Sequence, residues 1–103
     1  MKVIINRKIY DTETAREVAK DQLHNRNSIS WFDESLYLAP NGAWFLAGEG
    51  GPLSHYGVDL GQGEKEGRQM LTLMSIDEVM DWLEQRGEYH ILETHFSDRL
   101  ENA

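Results

Sequence analysis

Two short apolar segments separated by a tight turn constrain the fold of this chain more than any other feature. Residues 35–39 and 43–47 flank Pro40-Asn41-Gly42, in which proline fixes one φ angle and glycine tolerates a positive one. Both segments therefore predict strands of an antiparallel hairpin. Because large apolar side chains fall on both sides of these strands, each face must be covered by a helix, a loop or a partner.

Three further segments predict strands. Residues 3–5 and 9–10 predict a short hairpin around a turn that contains Asn6. The turn lacks glycine, and Arg7 would be strained at a positive φ angle. Residues 69–73 predict a strand that joins the central hairpin.

Three segments predict helices. The first covers residues 12–24, because Asp11 or Thr12 can cap it and four apolar residues share one helical face: Ala15, Val18, Ala19 and Leu23. The second covers residues 75–86. It begins with a capping box of Ser75 and Glu78, and Arg86-Gly87 is its stop signal. The third covers residues 89–100.

The 103-residue chain is long enough for one modest core. We therefore expect a single domain over residues 1–103, with residues 88–103 as a peripheral C-terminal helix. The fold class is α+β, with a small antiparallel sheet of three or four strands and two or three helices packed on it.

Residues 48–67 hold seven of the nine glycines and predict a long irregular loop. The glycine spacing matches neither a dinucleotide-binding fingerprint nor a P-loop, and the loop's carboxylates would repel a phosphate. A small enzyme that uses this loop, near His55 and Asp59, remains an alternative. No catalytic signature accompanies it, and we expect a chain that is not an enzyme.

Metal and cofactor sites are not indicated. The chain has no cysteine, and His90 and His95 are five residues apart, which places them on different faces of a helix. Nor is there an apolar run long enough for a signal peptide or a membrane span. We expect no cofactor, no membrane association and a cytoplasmic location.

Charge is divided unevenly along the chain. Residues 1–26 carry six Lys/Arg and four Asp/Glu, whereas residues 27–103 carry four Lys/Arg and fourteen Asp/Glu, for a total of −8. Such a surface repels nucleic-acid phosphates and anionic lipid, and it attracts basic protein surfaces. A DNA-binding regulator is therefore the least favoured class.

Four acidic residues of the second predicted helix fall on one face, opposite its apolar residues. They are Asp77, Asp81, Glu84 and Glu88. Carboxylates at this spacing repeat roughly as DNA phosphates do, which is typical of a DNA mimic. The loop adds further acidic residues: Glu49, Asp59, Glu64 and Glu66. Tyr56 and Trp82 are the aromatic residues that we expect to anchor a partner.

Several segments together resemble a known group of proteins. They are Tyr10-Asp11-Thr12-Glu13-Thr14-Ala15, then Leu36-Tyr37, Gly42 and Trp44-Phe45-Leu46, then residues 48–56 from Gly48-Glu49-Gly50-Gly51-Pro52 to Tyr56, and finally Leu73, Ser75 and Trp82-Leu83-Glu84. This order resembles small proteins encoded by phages, plasmids and mobile elements, some of which are similar to anti-CRISPR proteins. The resemblance covers residues 3–86 and departs from the group at Arg7, where glycine would be usual.

The resemblance implies a stoichiometric inhibitor of a host defence complex. Combined with the acidic surface, it predicts a non-catalytic inhibitor of a CRISPR-Cas effector that blocks a basic nucleic-acid channel. Its partner would be a Cas protein in the bacterial cytoplasm, with no direct contact to nucleic acid, and the inhibitor would be a monomer or a homodimer. The alternative is an acidic antitoxin or accessory protein that neutralises another basic partner.

Overall fold

The computed structural model describes residues 1–23 and 29–103. The described residues form eight strands, two α-helices and a short 3-10 helix. In chain order these are β1 (Lys2–Ile5), β2 (Lys8–Asp11), β3 (Arg16–Leu23), β4 (Phe32–Leu38), β5 (Trp44–Gly50), β6 (Val58–Gly61), β7 (Glu64–Glu66), β8 (Arg68–Met74), α1 (Ile76–Gln85), α2 (Tyr89–Phe96) and the 3-10 helix Ser97–Arg99.

A four-stranded antiparallel sheet with strand order β3-β4-β5-β8 forms the centre of the fold. The apolar hairpin predicted from the sequence supplies its two inner strands, and β8 contains the strand predicted over residues 69–73. The α+β class and the small antiparallel sheet are confirmed. Two smaller sheets, β1–β2 and β6–β7, accompany it.

Both faces of the central hairpin are covered. On one face, Leu36 and Trp44 pack with residues of α1 and α2, including Val79 and Phe96. On the other face, Phe45 lies between Tyr37, which stacks on it, and Tyr10 of the β1–β2 hairpin, which meets it edge-on. The alternation of a β-strand directs successive side chains to these two faces.

The helix predicted over residues 12–24 is wrong within the described residues. Asp11 ends β2 in a turn, with its Oδ1 accepting from the N–H of Glu13, and residues 16–23 then form β3, paired with β4. A bulge between Glu17 and Ala19 brings neighbouring residues 18 and 19 to the helix-covered core, an arrangement that resembles helical spacing in the sequence. Residue 24 lies outside the described residues.

The β1–β2 hairpin is confirmed, with an unusual turn. Asn6 and Arg7 both adopt positive φ angles, 52° and 66°. Two central residues with positive φ are typical of a type I′ turn, whose twist suits a two-residue hairpin. Arg7 thus occupies a conformation that favours glycine.

The long irregular loop predicted over residues 48–67 is largely wrong. β5 continues to Gly50, and residues 58–66 form the β6–β7 hairpin, which leaves residues 51–57 as the irregular part. Gly48 lies inside β5, and the residue is glycine there because a Cβ atom would clash with the Tyr56 hydroxyl. The glycine therefore allows close approach of a side chain, and it does not mark a loop.

Helix α1 begins as predicted. Ser75 Oγ accepts from the N–H of Glu78 at 3.1 Å, and Glu78 Oε1 accepts from the N–H of Ser75 at 2.9 Å, which completes the capping box. The α2 helix is shorter than the predicted segment 89–100. It contributes Leu92 and Phe96 to the core, so it is not peripheral, and only residues 97–103 are exposed throughout.

Candidate functional site

The exposed side of α1 carries the acidic residues that the sequence singled out. Val79, Trp82 and Leu83 face the sheet, whereas Asp77, Asp81 and Glu84 point away from it. These three carboxylates share one face because they are four and three residues apart. We call them the acidic face of α1. The fourth residue, Glu88, lies beyond the end of α1, at the N-cap of α2, and is partly exposed.

No cation of the described residues neutralises the acidic face of α1. Between residues of 1–23 and 29–103, Lys20 pairs with Asp33, Arg86 pairs with both Asp21 and Glu34, and His55 contacts Glu34. None of them reaches Asp77, Asp81 or Glu84. The charge on this face is therefore directed to solvent.

Arg86 is the basic residue nearest to the acidic face in sequence, but it turns inward. Its Nε donates to Asp21 Oδ2 at 2.8 Å, and its guanidinium also donates to Glu34 and to the carbonyl of Trp82. The guanidinium lies 4.1 Å from the centre of the Trp82 ring, within cation–π range. Arg86 is thus committed to the interface between α1 and the sheet.

A buried carboxylate positions α1. Glu34 of β4 is 2% exposed, and four side chains surround its two oxygens. The Tyr56 hydroxyl donates to Oε2 at 2.5 Å, and His55 Nε2 donates to the same oxygen at 2.9 Å. Trp82 Nε1 and Arg86 donate to Oε1 at 3.1 and 3.2 Å. We call these five residues the Glu34 network.

Hydrogen bonding keeps Glu34 ionised. Burial by itself would raise the pKa of Glu34, but hydrogen bonds from Tyr56, His55 and Trp82 outweigh it and hold the pKa below its ordinary value. Burial, together with the adjacent Glu34 carboxylate, raises the pKa of the Tyr56 hydroxyl. Tyr56 therefore remains a proton donor, and the network joins one anion to several fixed donors.

The two predicted aromatic anchors need correction. Tyr56 is 4% exposed and Trp82 is 7% exposed, and both donate hydrogen bonds to Glu34. Neither ring is available to fill a pocket on a partner. The prediction failed because these residues complete the core and its buried polar network, a role that the sequence pattern did not reveal.

The loop acids do not join the acidic face of α1. Glu49 alternates with Gly48 along β5 and points to the face of the sheet that α1 does not cover. The separate β6–β7 sheet carries Asp59, Glu64 and Glu66. In the chain this sheet comes before the start of β8, whereas α1 comes after the end of β8. The predicted set of eight acids thus divides between different surfaces.

A groove between α1 and α2 adjoins the acidic face. It has a volume of about 480 Å³ and is lined by residues of both helices and of the C-terminal segment. Three carboxylates surround it: Glu84, Glu93 and Glu101. We call it the α1–α2 groove. Sequence reasoning missed it because the groove depends on how two helices pack.

The segment that the enzyme alternative would use is held by hydrogen bonds of its own. Ser54 Oγ donates to the carbonyl of Gly51 at 2.8 Å and accepts from the N–H of Tyr56, so its hydroxyl holds the 51–57 segment together. Among the residues that the structure describes, no group of three or more His, Asp or Glu side chains is placed to hold a metal ion.

Nor does any helix in the described ranges have the length and apolarity to cross a membrane.

Comparison with known proteins does not assign a family. No model of a protein family matches the chain, and no curated protein or solved structure matches it.

Proposed function

We propose that this chain is a non-catalytic inhibitor that binds a basic, nucleic-acid-binding groove of another protein through the acidic face of α1. The observation that carries the proposal is the exposed row of Asp77, Asp81 and Glu84, which has no cation partner among the described residues. Such a row favours rapid encounter with a lysine- and arginine-lined surface.

The placement of these acids supports a role outside folding. Asp77 and Asp81 form a like-charge pair four residues apart, and Glu84 lies in the last turn of α1, which has no basic residue. Like charges at this spacing are unfavourable, and the C-terminal end of a helix favours cations. Helix stability therefore does not explain why Asp81 and Glu84 are acidic.

The dimensions also suit a nucleic-acid mimic. The acidic face extends over about two helical turns, or roughly 10 Å, comparable to a few phosphates along one DNA strand. The Glu34 network holds α1 against the sheet, so the helix backbone that carries these carboxylates has a fixed position. A backbone that is already fixed loses little conformational entropy when the helix binds.

The resemblance of residues 3–86 to anti-CRISPR-like proteins makes a Cas effector the partner to test first. The assay is DNA cleavage by a panel of purified CRISPR-Cas effector complexes with and without the chain. We expect inhibition of one effector at stoichiometric concentration. Inhibition should weaken as salt rises, because exposed charges are screened.

The decisive variant reverses the acidic face with Asp77→Lys, Asp81→Lys and Glu84→Lys. We expect its inhibition to fall at least about tenfold, since rim charges control encounter and repulsion replaces attraction. The matched control reverses three exposed acids elsewhere with Glu13→Lys, Glu64→Lys and Glu66→Lys. Both variants change the net charge equally, so equal inhibition by the two would contradict the proposal.

A further inference from the structure

The α1–α2 groove is lined by both apolar and acidic side chains. Its apolar lining residues are Leu92, which is buried, and Leu100 and Tyr89, which are exposed. Glu84, Glu93 and Glu101 contribute carboxylates from α1, α2 and the C-terminal segment. The three acids thus converge on one concave surface from three parts of the chain.

These carboxylates are not paired within the described part of the chain. The ion pairs there involve Lys20, His55 and Arg86, and their acidic partners are all on the sheet. Arg99 lies between Ser97 and Leu100, two residues that line the groove, yet it forms no ion pair with the groove acids. The groove therefore has an excess of negative charge beside exposed apolar surface.

An occupant that matches this surface needs an apolar stem and a cationic end. Lysine and arginine both bury an aliphatic stem on apolar surface while their charged ends reach polar groups. Arginine fits better, because its planar guanidinium can bind carboxylates with two hydrogen bonds and can stack on the ring of Tyr89. A volume of about 480 Å³ suits one large side chain and part of its neighbours.

We propose that the α1–α2 groove binds an arginine side chain, flanked by apolar residues, on the basic partner protein. This inference rests on the proposed function, because it names the anchor of the surface that the acidic face of α1 attracts. It also replaces Tyr56 and Trp82 as anchors: the anchoring side chain comes from the partner, and this chain supplies the pocket.

The test uses a peptide probe and the full chain. The backbone amide resonances of the ¹⁵N-labelled protein are followed by NMR during titration with acetyl-Leu-Arg-Leu-amide. We expect shifts concentrated at Tyr89, Leu92 and Leu100. The same peptide with citrulline in place of arginine keeps the shape but loses the charge, and we expect at least about fivefold weaker binding, since several exposed ion pairs are lost.

A variant of the groove that leaves the acidic face intact is Glu93→Gln with Glu101→Gln. We expect its affinity for the arginine peptide to fall about fivefold, because each exposed ion pair adds only a small factor. The matched control, Glu64→Gln with Glu66→Gln, has the same net charge and should bind as the parent does. Equal binding of the citrulline peptide, or unchanged affinity of the groove variant, would overturn the inference.

The peptide assay contains no Cas effector, so its failure differs from that of the proposed function. If the peptide does not bind but Asp77→Lys with Asp81→Lys still weakens inhibition, the groove inference is wrong and the proposed function stands. If the peptide binds as expected and no effector is inhibited, the proposed function is wrong for CRISPR-Cas complexes and the arginine site stands.

Discussion

The indole N–H of Trp82 donates a hydrogen bond to Oε1 of Glu34 across 3.1 Å and thereby joins the inner face of α1 to the second strand of the sheet. The same oxygen accepts from Arg86, one turn further along the helix. The buried side of α1 is thus attached to the sheet at two points. This attachment fixes the direction in which Asp77, Asp81 and Glu84 point.

Loss of the Glu34 carboxylate should strongly destabilise the fold. In Glu34→Ala, the donors of Tyr56, Trp82 and Arg86 lose their acceptor in a buried site, and we expect the free energy of unfolding to fall by about 3–5 kcal/mol. Urea denaturation followed by tryptophan fluorescence measures the change.

Asp33→Ala is the control for Glu34→Ala. Asp33 precedes Glu34 on β4 but points to the opposite face, where it forms a longer ion pair with Lys20 at 3.8 Å. We expect a loss below about 1 kcal/mol, because exposed pairs contribute little. Similar losses for the two variants would show that the Glu34 network does not hold α1 in place.

Acid should weaken the fold through the same carboxylate. The pKa of Glu34 is lower in the folded protein than its ordinary value of 4.5, so the unfolded chain binds the proton more tightly. The stabilisation is therefore fully present above about pH 4.5, and it is lost as the pH falls through the folded pKa. We expect the free energy of unfolding to decrease over this range.

The variant Glu34→Gln isolates that contribution, because an amide does not titrate. Urea denaturation at several values between about pH 3 and pH 6 gives the free energy of unfolding as a function of pH. We expect a lower but flatter curve for Glu34→Gln than for the parent. Parallel curves would assign the acid sensitivity to other carboxyl groups.

The turn of the first hairpin offers a stabilising substitution. Arg7 has a φ angle of 66°, in the left-handed region that disfavours residues with a Cβ atom. Arg7→Gly creates the Asn-Gly pair that suits a type I′ turn, and we expect the free energy of unfolding to rise by about 1 kcal/mol. Arg7→Ala also removes the charge but keeps a Cβ atom at the strained positive φ angle. A gain in thermal stability for Arg7→Ala similar to that for Arg7→Gly would contradict this explanation.

Local sequence signals predicted those parts of the fold that depend on neighbouring residues. Pro40-Asn41-Gly42 between two apolar segments identified the β4–β5 hairpin, and Ser75 with Glu78 identified the start of α1. The helix prediction was wrong over residues 16–23 because the bulge near Ala19 gives this strand the apolar spacing of a helix. Pairing with β4 decided the outcome, and such pairing is not visible in a local window.

The site was predictable only in part, for the same reason. The acidic face of α1 follows from helical spacing, so Asp77, Asp81 and Glu84 could be identified from the sequence. The Glu34 network joins residues up to 52 positions apart, and no local pattern connects them. The closest available signal was the pair Trp82 and Arg86, four residues apart in a segment whose other charged residues are all acidic.

Single charge reversals on α1 should separate stability from binding. Asp77 lies in the first turn, where the helix favours an anion, whereas Glu84 lies in the last turn, where it favours a cation. We therefore expect Asp77→Lys to lower the free energy of unfolding and Glu84→Lys to raise it, each by about 0.3–1 kcal/mol. Thermal denaturation at low salt measures both changes.

Binding of the basic partner should respond differently from stability. Both reversals remove a carboxylate from the acidic face of α1, so we expect both to weaken inhibition of the effector, even though their effects on stability have opposite signs. Inhibition assays at equal protein concentration, well below the unfolding temperature of each variant, make the comparison. If Glu84→Lys inhibits as well as the parent while Asp77→Lys does not, loss of inhibition follows loss of stability, and the acidic face of α1 is not the binding surface.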